Sequence, residues 1–158
     1  MAKKFSKTNA MRLLEQVNIP YQVREYPDDG PVGAVDVANF LGEEPDRLFK
    51  TLVTTDHGDY YVFCIPGDHE LDLKKAAKVV GVKKIEMIPQ RELFPLTGYV
   101  HGGCSPFGMK KSFPTVVDSS ALNWKTIYVS GGKRGHQIEI RPKDFEKILD
   151  VNFYDVTK

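Results

Sequence analysis

Two glycine-rich stretches carry the residue types in this chain best suited to chemistry. The first, Gly102-Gly103-Cys104-Ser105-Pro106-Phe107-Gly108-Met109-Lys110-Lys111, lets a ligand approach the backbone closely, and amides exposed in such a loop stabilise an anion or a developing oxyanion. The same composition also suits a plain surface loop between strands. It is not a phosphate loop of the P-loop kind, because the GxxxxGK spacing followed by Ser or Thr is absent. The second stretch, Ser130-Gly131-Gly132-Lys133-Arg134-Gly135, follows the β-branched run TIYVS. It reads as a hairpin turn, and it also sets the Ser130 hydroxyl at a strand end with Lys133 and Arg134 placed to meet a phosphate.

Lys50 stands in RLFKTLV, where strand alternation turns it to the same face as Leu48 and Leu52. There it either snorkels at a sheet edge or lines a cleft and presents its ammonium to a carbonyl or phosphate. Tyr26, at a strand end before Pro27, is a half-buried aromatic with a wet hydroxyl. Cys104 lies near His101 in the glycine loop, but a reactive cysteine needs a neighbour that stabilises its thiolate, and spacing alone does not supply one. Cys64, in YYVFCI, reads as a small core residue. The four histidines have no metal-ligand spacing and the two cysteines form no CxxC, so neither a metal nor another cofactor is expected.

The elements that must position these residues fit one core. A chain of 158 residues buries roughly 68–70% of its unfolded surface, and one domain over 1–158 is expected. No run approaches the roughly 18 apolar residues that span a bilayer, so no membrane partner is expected. Lys7, Arg12 and Glu15 interrupt any secretory leader, which points to the cytoplasm and reduced thiols. A net charge of +1 provides no global field for a polyanion, which excludes a constitutive binder of duplex DNA; any contact with nucleic acid must come from a local patch.

Helical spacing of Ala10, Leu13, Leu14 and Val17 predicts a first helix over 6–17, capped by Ser6 or Thr8. A strand over 21–26 lies between two prolines, and a short helix through Val35, Val37, Ala38 and Leu41 ends at Gly42. Residues 49–55 and 60–65 form a hairpin around DHGD. Asp72 opens a helix closed by Gly81, with Leu73, Ala76, Ala77 and Val80 inward and Lys74, Lys75 and Lys78 outward. Strands follow at 115–117, 126–130 and 138–140, then a helix over 142–149 with proline in its first turn. Short strands joined by tight turns predict a mixed α+β fold: a mainly antiparallel, barrel-like sheet surrounded by helices.

Together, RLFKTLV, LDLKKAAK, TGYVHGGCSPFGMKK, TIYVSGGKRG and IEIRPKDFEKIL resemble the YbaK/EbsC-type aminoacyl-tRNA deacylases, relatives of the editing domain of bacterial prolyl-tRNA synthetase. The blocks occur in order over nearly the whole chain. The resemblance implies hydrolysis of the ester in mischarged tRNA, notably cysteine on the proline tRNA, without a cofactor. It places the family's lysine at Lys50, its GxxxP loop at Gly102 to Pro106, its strand-end serine at Ser130 and its tyrosine at Tyr26. Lys50, Gly102 and Gly103 are then the catalytic candidates, and Tyr26, Thr51, Ser105, Pro106, Ser130 and Gln137 the substrate-binding ones. Cysteine-specific members carry an aspartate where this chain has Gln137, which bears on the choice between cysteine, alanine and another small amino acid.

An aminoacyl ester is already activated, so orientation and oxyanion stabilisation suffice without a protein nucleophile, and a substrate cysteine can attack with its own thiol. The expected partners are mischarged tRNA and, transiently, prolyl-tRNA synthetase, which would supply tRNA selectivity. Lys74, Lys75, Lys78, Lys110, Lys111, Lys133 and Arg134 are candidate tRNA contacts; the helical lysines equally suit a solvated face. Two rivals stand beside this reading: a non-catalytic module that binds aminoacyl-tRNA or a synthetase, and a thiol enzyme using Cys104.

Overall fold

The computed structural model describes residues 7–31 and 33–158, so Ser6 lies outside the described residues. Thr8 caps the first helix, α1 (Asn9–Gln16), by accepting the Met11 N–H at 3.2 Å, and α1 buries Ala10, Met11 and Leu14. Strand β1 (Gln22–Glu25) sits between the two prolines. Helix α2 (Ala34–Leu41) stops at Gly42, which adopts a φ of +71°, a left-handed conformation that closes helices. Strands β2 (Phe49–Thr55) and β3 (Tyr60–Pro66) pair antiparallel with Lys50 opposite Ile65. Their reversal is fixed by Asp56 Oδ1, which accepts the N–H groups of Gly58 and Asp59 at 2.8 and 2.6 Å.

Helix α3 (Leu73–Val80) is capped by Asp72, whose carboxylate accepts the N–H groups of Lys74 and Lys75, and it ends at left-handed Gly81. Ala76 and Ala77 form its buried face, whereas Leu73 in the first turn is 39% exposed rather than inward. There follow β4 (Glu86–Met87), α4 (Leu93–Thr97), β5 (Thr115–Asp118), β6 (Ile127–Ser130), β7 (His136–Ile140) and β8 (Val151–Tyr154). The segment expected as a helix over 142–149 is a 3₁₀ helix, Pro142–Lys147. Pro142, Asp144 and Phe145 are buried in it, and Phe145 and Ile148, three residues apart, pack into the main core, a spacing that the tighter 3₁₀ turn keeps on one face.

The strands form two sheets. One has the order β1-β7-β6 and is antiparallel throughout; the other has the order β4-β2-β3-β5-β8, with β5 parallel to both its neighbours. Among the described residues one parallel bridge, Leu48 to Tyr128, joins the sheets, so the strands wrap partway around a barrel without closing it. Strand β3 is covered on both faces: Cys64 packs with Phe49, Phe107 and Val129, while Phe63 and Ile65 pack with Ala76, Val116 and Val156. That double covering explains its uninterrupted apolar run. A third cluster seats Val37 and Ala38 of α2 on Tyr26, Leu48 and Tyr128. Arg47 fixes this corner by donating to Glu43, Glu139 and the Thr126 carbonyl. No helix among the described residues is long and apolar enough to cross a membrane.

Candidate active site

The bridge between the sheets leaves a cleft of about 430 Å³ between β2, the start of α2 and the two glycine loops, a volume ordinary for a small-ligand pocket. Tyr26, Lys50, Thr51, Gly102, Ser130 and Gln137 line it together. Residues drawn from five separate stretches of the chain thus face one space.

Lys50 reaches it from the start of β2, half-buried, with Nζ donating to the Gly67 carbonyl at 3.3 Å. Burial lowers its pKa, and the nearby carboxylates of Glu70 and then Asp68 oppose that shift. Gly67 itself is packed so tightly that a Cβ would lie 2.7 Å from that of Ala34, which lets the turn after β3 press against α2 and carry its carbonyl to the lysine.

The two glycine loops interlock. A Cβ on Gly103 would lie 2.8 Å from Lys133 Cα and 2.9 Å from the Arg134 nitrogen. Arg134 Nε donates to the His101 carbonyl at 3.0 Å across the same seam. Gly103 donates its own N–H to the Val100 carbonyl at 3.0 Å, so that amide is committed to the turn. Gly102, at a φ of +84°, has no such bond among the described residues and lines the cavity.

Ser130 is buried at the end of β6 and accepts the Gly132 N–H at 3.2 Å, which leaves its hydroxyl proton for the cleft. Tyr26 is held by its N–H donating to the Gly135 carbonyl at 2.9 Å. Gln137, 5% exposed, presents a carboxamide oxygen without a hydrogen-bond partner among the described residues, a costly state unless a ligand donor arrives. Thr51 lies 3.8 Å from the Cys64 sulfur through its Oγ1.

Ser105 and Pro106 stand behind the cleft rather than in it. The Ser105 hydroxyl accepts the Phe107 N–H at 3.2 Å, and Pro106 borders a separate groove with Leu13 and Leu149. Cys104 does line the cleft, but it is 7% exposed and burial pushes its thiol up to about 12. A thiol that basic is not a nucleophile at neutral pH. Cys64, fully buried, is likewise raised to about 12.

Of the basic residues, Lys133 is half-buried in the seam and Arg134 is exposed there; Lys110 and Lys111 are also exposed, Lys111 on the separate groove that Pro106 borders. On α3, which does not border the cleft, Lys74 and Lys78 are exposed, whereas Lys75 is bound to Asp155 at 3.0 Å and to the Thr157 carbonyl at 2.8 Å. Sequence reasoning passed over Asp36, Leu93 and, except as a neighbour of Cys104, His101, all of which border the cleft. No periodicity marks them, because they enter from three separate elements: the first turn of α2, the start of α4 and the turn after it. Among the described residues no three His, Cys, Asp or Glu side chains gather in a group that could hold a metal ion.

The cleft thus offers a partly desolvated ammonium, backbone amides including that of Gly102, hydroxyls, and a carboxamide oxygen without a partner among the described residues. The sequence profile of the aminoacyl-tRNA editing domain matches residues 32–148. The chain is 47% identical, over 99% of its length and 98% of the relative's, to an Enterococcus faecalis protein provisionally named Cys-tRNA(Pro)/Cys-tRNA(Cys) deacylase EbsC. It is 30% identical over 72% of its length to a proline–tRNA ligase of Maridesulfovibrio salexigens, of which it spans only 19%. A crystal structure described as a proposed trans-editing enzyme for prolyl-tRNA synthetase superposes with a TM-score of 0.84 at 25% identity, covering 95% of both chains. The chain belongs to the aminoacyl-tRNA editing domain family.

Proposed function

We propose that this protein removes cysteine from mischarged tRNA(Pro) by hydrolysing the aminoacyl ester, acting on tRNA released by the synthetase. The observation that carries the reading is the convergence of Lys50, the free Gly102 amide and the unmet Gln137 oxygen on one cleft whose only cysteine is too basic to attack.

The substrate's own thiolate attacks its ester carbonyl. A carbon–sulfur bond forms, the developing oxyanion meets the Gly102 N–H, and the bond to the ribose oxygen breaks. The proton given up by the thiol ends on that ribose hydroxyl. Water then opens the small cyclic thioester to free cysteine. Lys50 holds the terminal nucleotide through its 5′ phosphate or ribose, while Gln137 accepts from the substrate ammonium and Asp36, which also lines the cleft, adds a carboxylate for the same group. Tyr26, Thr51 and Ser130 close the cleft around the amino acid. Ser105, Pro106 and Gly103 fix the loop that aims the Gly102 amide.

The whole chain works as one editing domain in the cytoplasm. A transient contact with prolyl-tRNA synthetase supplies the choice of tRNA, in keeping with the likeness to a segment of proline–tRNA ligase. The decisive assay follows deacylation of Cys-tRNA(Pro) and Ala-tRNA(Pro), with and without the synthetase, by wild type, Lys50→Ala and Cys104→Ala. Cysteine release lost in the Lys50 variant alone supports substrate-assisted editing. Loss in the Cys104 variant instead transfers the chemistry to a protein thiol, and a wild type that releases neither amino acid leaves a binding module.

A further inference from the structure

We propose that Phe94 and Lys110 form a stacking platform at the mouth of the cleft for the unpaired nucleotide that precedes the terminal aminoacyl-adenosine of tRNA. The inference rests on the deacylase reading above.

Phe94 follows directly on Leu93, which lines the cleft, and its ring is 55% exposed on the short helix α4. An isolated exposed aromatic is unremarkable by itself. Here a cation is held against it: Lys110 Nζ lies 5.4 Å from the centre of the Phe94 ring. The lysine is anchored along its length. Its N–H donates to the Thr97 carbonyl at 3.0 Å, its stem lies over Gly98 where a Cβ would come within 3.3 Å of it, and its ammonium reaches the Pro95 carbonyl at 3.5 Å. Side-chain entropy already spent on fixing Lys110 need not be spent again on binding. Val100, 47% exposed, and His101, which borders the cleft, lie on the turn that follows α4.

The occupant follows from size and charge. A cleft of about 430 Å³ accommodates one small ligand, here the terminal aminoacyl-nucleoside, and leaves the preceding nucleotide outside at the rim. A single-stranded nucleotide presents a base face for an aromatic ring and a phosphate for an ammonium, the pairing by which proteins hold single strands without reading their sequence. Phe94 with Lys110 supplies both beside the opening. Every tRNA ends in the same unpaired sequence, so the platform raises affinity for acceptor ends in general and leaves selection of the amino acid to the cleft.

The test compares cysteinyl esters of adenosine alone and of the trinucleotide CCA, with the binding of an uncharged acceptor-stem hairpin measured alongside. In Phe94→Ala the ratio of kcat/KM for the trinucleotide to that for the nucleoside falls about tenfold. The loss appears in KM, hairpin affinity falls by a similar factor, and Phe94→Trp restores both. Lys110→Ala weakens hairpin binding and flattens its salt dependence. An equal loss on both substrates marks a packing role of α4 and overturns the platform, as does no change on either. An effect confined to assays containing prolyl-tRNA synthetase assigns the patch to a protein contact and also overturns it. A wild type that binds the hairpin through Phe94 but hydrolyses neither ester removes the deacylase reading and keeps the platform.

Discussion

Two lysines lean on the connection between β3 and α3, and they are held very differently. Lys75 is tied down at two points: Asp155 and the Thr157 carbonyl take its ammonium at 3.0 and 2.8 Å, and the same C-terminal tail pairs Thr157 with Leu71 and accepts the Asp72 N–H at the Val156 carbonyl. Lys50 makes one longer bond, to Gly67 at 3.3 Å, while Glu70 and Asp68 act on it only through space and burial lowers its pKa. A lysine that serves the fold has its donors matched to acceptors of the same chain. One kept partly desolvated with spare donors, facing a cleft, is poised for a ligand, and perturbed groups of that kind gather at functional sites. The tail that Lys75 fastens also pairs with Leu71 and Asp72, downstream of the Gly67 carbonyl that holds Lys50.

Several substitutions would break or sharpen this contrast. The largest effect is expected at Lys50: Lys50→Ala should lower kcat/KM for Cys-tRNA(Pro) by about a hundredfold or more with the melting temperature nearly unchanged. A loss confined to stability would make Lys50 a second Lys75. Next comes Gly103→Ala, whose methyl group must displace the Lys133 backbone. About 1–3 kcal/mol of stability should be lost in urea unfolding, together with activity, as the Gly102 amide swings out of line. Lys75→Ala should do the opposite of Lys50→Ala, lowering the melting temperature by roughly 1–3 °C at unchanged kcat/KM.

The smallest effect is a pH shift. Because burial lowers the Lys50 pKa, its ammonium is present below that value and lost as pH rises through it. The alkaline limb of kcat/KM should therefore fall below the roughly 10.4 of an ordinary lysine and vanish in Lys50→Ala. Neutralising the opposing carboxylates with Glu70→Gln and Asp68→Asn should move the limb further down, and movement upward would show that those carboxylates do not act on Lys50. Alkylation by iodoacetamide at neutral pH should meanwhile leave Cys104 almost untouched, since its thiol titrates at about 12.

Much of the local structure was legible in the sequence because local rules govern it. Thr8, Gly42, Asp72 and Gly81 end their helices where capping chemistry places them, and the β2–β3 hairpin closes on its Asp-Gly turn. The ordered motif blocks carried the family as well, since they are a property of the chain alone. The parts that sequence reasoning missed depend on neighbours distant in the chain. The turn after residue 141 is 3₁₀ where Phe145 and Ile148, three residues apart, pack into a core built from distant strands and α1. Leu73 stays exposed because α3 meets the sheet through Ala76 and Ala77, with Val79 and Val80 packed alongside, and its first turn lies off that contact.

The site divides the same way. Residue types and spacing marked out Lys50, Ser130 and the glycine loop. Only the tertiary structure separated the committed Gly103 amide from the free Gly102 amide, moved Ser105 and Pro106 behind the cleft, tied up Lys75 and left the Gln137 oxygen unmet. Those outcomes turn on which backbone groups are already hydrogen-bonded and how deeply each side chain is desolvated, quantities that exist only once sheets, helices and loops have come together.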